Sequence, residues 1–166
     1  MKSVVMLASV HEYQLRGNER NPELEKRLAY LISKFSADIV MEEWSEAQGE
    51  SFAQGFAAKS GFDWANVGTP DEPQYRTYVC SGCIKYPGYD GTLRPYRPAG
   101  DPDAPPIDEY GPFDNQENRE RRMAENVQAA MEKHETGLFI LGTAHLHSVF
   151  GKLHSLGFKV AAFSWL

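Results

Sequence analysis

Apolar residues along this chain fall into short runs separated by segments with a helical repeat. Ser3 to Val10 (SVVMLASV) is almost continuously apolar, the mark of a strand covered on both faces. Asn21-Pro22 follows as an N-cap with proline at the first helical position, and Glu23 and Glu25 sit in the first turn. Leu24, Leu28, Leu31, Ile32 and Phe35 then recur at helical spacing, and Asp38 to Glu43 (DIVMEE) is a second short apolar run. Strand, helix and strand at this spacing predict a βαβ unit with parallel strands.

The spacing predicts a further helix over Glu46 to Lys59, with Phe52 and Phe56 on one face, and a short strand at Phe62 to Val67. Residues 68–113 are rich in proline, glycine and tyrosine and carry no sustained periodicity. A stretch of this length within one domain reads as an insertion or lid. Helical spacing returns from about Asn115 to Glu135, placing Met123, Val127, Ala130 and Met131 on one face. Leu138 to Leu141 is a third apolar strand, Ser148 to Leu156 a helix, and Phe158 to Phe163 a last strand. The expected fold is one α/β domain over residues 1–166. It is a mostly parallel open sheet built from βαβ units, with helices on both faces and the long irregular insertion.

Composition narrows the function classes. A chain of 166 residues, 42% hydrophobic and 24% charged, can bury a core and is not disordered material. A net charge of -6 argues against a non-specific nucleic-acid binder and against docking on an anionic membrane. No apolar run approaches the roughly 20 residues that span a bilayer. The first run is short for a signal peptide and stops at His11-Glu12-Tyr13 with no small-residue cleavage site. Cys80 and Cys83 are too few for a disulfide framework, so a cytoplasmic location is expected. The CxxC they form lacks the second pair of a zinc ribbon and the following helix of a redox motif, and reads as a loop turn. Tyr75, Tyr78, Tyr86, Tyr89, Tyr96 and Tyr110, with Arg76, Arg94 and Arg97, line either a substrate groove or a satellite core. Oligomeric state is not legible in the pattern.

Polar residues gather at strand ends. His11 follows the first strand, Glu42 and Glu43 end the second, and His145 lies just past the third. In open parallel sheets, ligands bind outside the carboxyl ends of the strands. Glu42 and Glu43 point to opposite faces, so only one of them faces the same way as His11. Arg119 lies one turn before Met123, on the inward side of its helix, where an arginine needs a partner: Glu42, Glu43 or Asp38. Such a pair either fastens the helix or orients a site carboxylate and clamps a substrate oxyanion. Glu12, Glu42 and His147 are secondary candidates: Glu12 as base and His147 as supporting partner, or else both as exposed helix-entry residues, and Glu42 as the alternative carboxylate, or else a helix or surface partner. His134, near a helix C-terminus, reads as a partner of the helix dipole.

These residues resemble the motifs of a known family. Ala8-Ser9-Val10-His11 is similar to a GxxH motif with alanine in place of glycine, and Ala37-Asp38-Ile39-Val40-Met41-Glu42-Glu43 to a strand closing on a carboxylate. Counting from Asp38 puts that carboxylate at Glu43. Arg119-Glu120-Arg121-Arg122-Met123-Ala124 is similar to an R[DNE]xxMA helix motif, and Gly142-Thr143-Ala144-His145 to a second GxxH. Over roughly residues 3–45 and 115–163 the chain resembles the TraB/TIKI family, related to erythromycin-esterase-like and ChaN-like proteins. The resemblance implies three chemistries. TIKI-like members are metal-dependent peptidases, which would make His11, Glu43 and His145 ligands of Mn, Co or Zn. Erythromycin-esterase-like members hydrolyse esters with His and Glu and no firmly bound metal. ChaN-like members bind haem.

A His₂Glu set leaves coordination open for a water whose pKa a divalent ion lowers to roughly 7. Without metal, Glu43 would orient His11 or His145 as general base. The leading expectation is a metal-assisted hydrolase of an ester, peptide or related bond, centred on His11, Glu43, Arg119 and His145 at the carboxyl edge of the sheet, with the metal-bound form preferred to the metal-free one. The alternatives are a haem or metal carrier using the aromatic middle segment, and an interaction or inhibitor protein acting through its acidic surface.

Overall fold

The computed structural model describes residues 1–69 and 114–165, together with three two-residue strands at Tyr78–Val79, Cys83–Ile84 and Arg94–Pro95. Five strands make one all-parallel sheet: β1 (Ser3–Ser9), β2 (Ile39–Glu42), β3 (Asp63–Asn66), β7 (Thr136–Gly142) and β8 (Lys159–Ser164), in the order β3-β2-β7-β1-β8. The three short strands, β4 to β6 in chain order, pair antiparallel in a second sheet. The expected lid over 68–113, the Cys80–Cys83 turn and the tyrosine-arginine groove otherwise lie outside the described residues.

The helices are α1 (His11–Gln14), α2 (Asn21–Phe35), α3 (Phe52–Ser60), α4 (Asp114–Ala130) and α5 (Leu146–Ser155). They cover both sheet faces, because strand residues alternate between two apolar clusters. Val4, Met6, Ile39, Met41, Phe139 and Leu141 pack with Met123, Val127, Met131, Val149 and Leu153 of the α4–α5 side. Val5, Leu7, Val40, Leu138 and Ile140 pack with Leu24, Leu28, Leu31, Ala53 and Ala57 of the α2–α3 side. Phe139, Met6, Leu7 and Leu28 are fully buried, and each such side chain contributes about 1.5–3 kcal/mol.

Local details depart from the sequence expectations for identifiable reasons. Asn21 is the first helical residue rather than the cap of α2; its amide donates to the Tyr13 and Leu15 carbonyls and accepts from Gly17 N–H, stitching α1 to α2. The helix expected over Glu46 to Lys59 is two elements, a 3-10 turn at Glu46–Gln48 and α3. Gly49 at φ 76° breaks the path, and Ser51 restarts it by accepting the Gln54 N–H. The βαβ units exist, but only β2–α3–β3 joins neighbouring strands. β7 lies between β1 and β2, and β1 lies between β7 and β8.

Candidate functional site

Strand order decides what meets at the carboxyl edge. β7 is flanked by β2 and β1, with Ser9 paired to Gly142 and Glu42 to Ile140. The segment after β1 therefore brings His11 to one side of Gly142, and the end of β2 brings Glu43 to the other. Glu43 continues the parity of Ile39 and Met41, so its side chain lies on the α4–α5 face of the sheet. From there Arg119 of α4 reaches it. A 3-10 turn over Thr143–His145 then delivers the second imidazole.

Glu43 is the hub. Its Oε1 accepts from Arg119 Nη2 at 2.9 Å and lies 3.4 Å from His145 Nε2. Its Oε2 accepts from the Gly142 backbone N–H at 2.9 Å and lies 3.8 Å from His11 Nε2. Burial pushes the Glu43 carboxyl up, but His145, His11, Arg119 and the Gly142 N–H together outweigh it and hold the group at about 2. Glu43 is thus a buried carboxylate. His145 is also buried, and its Nδ1 bonds Glu120 Oε1 at 2.9 Å, so its ring spans two carboxylates. His11 stands at the rim, its side chain 27% exposed.

Gly142 is glycine because of this crowding. A Cβ there would sit 2.8 Å from His11 Nε2 and 3.4 Å from Glu43 Oε2. Its backbone conformation is ordinary for any residue (φ -64°, ψ 140°), so the requirement is space alone.

Glu42 faces the other way, as alternation requires. It is fully buried and accepts from Ser51 Oγ at 2.5 Å, Gln14 Nε2 at 2.8 Å and Trp64 Nε1 at 3.0 Å. Burial raises its carboxyl to about 7 against the lowering effect of those bonds. Gln14 also links this carboxylate to the site, for its Oε1 meets His11 Nδ1 at 3.0 Å. Gln14 and Glu120 are the residues the sequence reading missed.

The other two secondary candidates stand apart. Glu12 and His147 are exposed, and neither side chain joins the hydrogen bonds of the cluster. His134, expected as a dipole partner, instead lies 3.5 Å from Asp38 and 3.4 Å from Asp63, at the opposite edge of the sheet.

No family model, curated protein or solved structure matches this chain.

The metal centre that the resemblance implies would need His11, Glu43 and His145 to aim at one common point. Among the described residues, no three His, Cys, Asp or Glu side chains are arranged to hold a metal ion. The cause is visible at Glu43. Its two oxygens face different imidazoles, each oxygen already accepts an N–H, and the Arg119 guanidinium supplies positive charge against Oε1. As placed, the residues do not fit a His₂Glu cage. The aromatic segment that would offer a haem slot lies outside the described residues. Among those described, no helix is long and apolar enough to cross a membrane.

Proposed function

We propose that this chain is a hydrolase that cleaves an ester, peptide or related bond by general acid–base chemistry. The observation that carries the reading is the ionised, buried Glu43 ringed by Arg119, His11, His145 and the Gly142 N–H. Burying so many charged and polar groups at strand ends stabilises a fold less than apolar packing would. Such a cluster at the carboxyl edge of a parallel sheet has a natural use in chemistry.

The roles follow from exposure and partners. His11, at the rim, takes a proton from water through Nε2; the hydroxide attacks the carbonyl carbon and the bond to the leaving group breaks. The imidazolium then returns its proton to the leaving oxygen or nitrogen. Glu43 stabilises that imidazolium across the short gap to Oε2. Arg119 commits one terminal N–H to Glu43, and its buried Nε–H has no acceptor among the described residues. The partly exposed guanidinium brings positive charge to the site that is suited to the oxyanion formed during attack. His145, held between Glu43 and Glu120, fixes the other side of the carboxylate. The TraB/TIKI resemblance agrees with this reading, in its erythromycin-esterase-like form, and a cytoplasmic setting suits it.

A panel of ester and peptide substrates tests the proposal. Hydrolysis is expected to survive chelation, and to be lost in His11→Ala and in His145→Ala while circular dichroism shows both variants folded. Full activity in both variants ends the proposal. Loss of activity on chelation, with metal recovered from the protein, replaces its metal-free mechanism.

A further inference from the structure

The histidine proposed as base needs a bare nitrogen on the side that meets water and the carboxylate. A neutral imidazole carries one proton, and the partner of its other nitrogen decides where that proton sits. For His11, that partner is Gln14.

The orientation of the Gln14 amide is determined by what surrounds it. Gln14 is fully buried. One end of its amide lies 2.8 Å from Glu42 Oε1 and 3.4 Å from the backbone carbonyl of Glu43. A backbone carbonyl can only accept, so the NH₂ must occupy that end whatever the protonation of Glu42. Glu42 is itself held by Ser51 and Trp64, a donor-only indole N–H among its partners. The amide oxygen is therefore the end that meets His11 Nδ1 at 3.0 Å. An acceptor at that distance requires Nδ1–H. The opposite tautomer would set two lone pairs against each other there, and its Nε2–H would find Glu43 Oε2 only at 3.8 Å, beyond hydrogen-bond reach.

We infer that Gln14 is a positioning residue: anchored by Glu42 and the Glu43 carbonyl, it holds neutral His11 in the Nδ1–H tautomer with Nε2 bare toward Glu43. Glu42 acts through Gln14 and touches no substrate. The arrangement puts one carboxylate in front of the imidazole and a second behind it, with an amide relay between. The catalytic consequence rests on the hydrolase reading; the tautomer does not.

The test is nitrogen NMR of the full chain labelled at its histidine rings, recorded where the rings are neutral and assigned by loss of the His11→Gln signals. In the wild-type protein, His11 Nε2 is expected at the unprotonated-nitrogen shift and Nδ1 at the protonated one. Gln14→Leu removes the acceptor, and the proton is expected to move to Nε2. Gln14→Glu, carrying a proton on the oxygen that faces Glu42 and the Glu43 carbonyl, keeps an acceptor oxygen at Nδ1 and is expected to keep the wild-type tautomer. An Nε2–H tautomer in the wild type, or an unchanged tautomer in folded Gln14→Leu, overturns the inference. The wild-type spectrum decides on its own if Gln14→Leu does not fold.

In the hydrolysis assay, Gln14→Leu is expected to lower kcat roughly 10²-fold, within the range a general base supplies, with KM little changed. Gln14→Glu is expected to recover part of it. Equal kcat in folded Gln14→Leu and wild type overturns the positioning role. The Nδ1–H tautomer in a chain that hydrolyses nothing leaves Gln14's role standing and removes the hydrolase reading. Hydrolysis by a chain with Nε2–H does the reverse.

Discussion

Replacing Glu43 by glutamine gives the sharpest test of the site's electrostatics. The carboxyl is held at about 2 against an ordinary 4.5, a displacement worth about 3 kcal/mol at roughly 1.4 kcal/mol per pKa unit. Because the folded value is the lower one, that stabilisation is fully present above about pH 4.5. It is lost as pH falls toward about 2. Glutamine is nearly isosteric, so packing changes little, yet it cannot replace the carboxylate. Oε1 accepts from Arg119 and Oε2 from the Gly142 N–H, so the new NH₂ must face one donor or the other. Urea unfolding followed by circular dichroism from pH 7 to pH 3 reads both effects. The variant is expected to be less stable by about 3 kcal/mol at pH 7, with the gap narrowing by about 2 kcal/mol by pH 3. A gap below about 1 kcal/mol at pH 7, or one that stays constant with pH, would refute the account of Glu43 as an ionised hub.

Other perturbations read neighbouring features. Gly142→Ala puts a methyl 2.8 Å from His11 Nε2, and the rim imidazole must swing aside. Hydrolysis should fall roughly 10²-fold, with stability within about 1 kcal/mol of wild type; an unimpaired kcat would show that His11 need not sit there. Glu42 has the opposite sign to Glu43. Its folded value, about 7, lies above 4.5, so its contribution to stability worsens as pH rises through that interval. Glu42→Gln should therefore gain about 2 kcal/mol relative to wild type between pH 5 and 7.5, whatever fixed penalty its altered hydrogen bonds impose. Parallel stability curves would contradict the raised carboxyl.

The sheet's strands and the gathering of His11, Glu43, Arg119 and His145 at one edge were legible for one reason: both depend on short apolar runs and what directly follows them. His11, Glu43 and His145 declare themselves by standing at strand ends, and Arg119 by sharing the helix face of Met123 and Val127. Strand order was not legible, because β1 and β2 look equally able to be neighbours until β7 takes the place between them. That order also explains His134. Its partners Asp38 and Asp63 come from the starts of β2 and β3, which no local pattern near residue 134 could reveal. Helix α1 has four residues, too few to show a period, so Gln14 was invisible as a buried residue. Glu120 sits in the polar run NRERR and reads as solvated surface, though it is buried against His145. Buried polar residues escape a reading that equates polarity with exposure.

The central place of β7 also bears on how the chain is made. Both flanks of β1 are filled by segments far later in the chain, residues 136–142 on one side and 159–164 on the other. A nascent polypeptide leaving the ribosome therefore carries this apolar strand without a hydrogen-bonding neighbour until more than a hundred further residues have followed. Loop closure over more than a hundred residues must precede any pairing of that strand, which slows folding and lengthens the interval open to aggregation. Chaperone dependence during translation is the expected cost of seating β7 between β2 and β1 after both have been made.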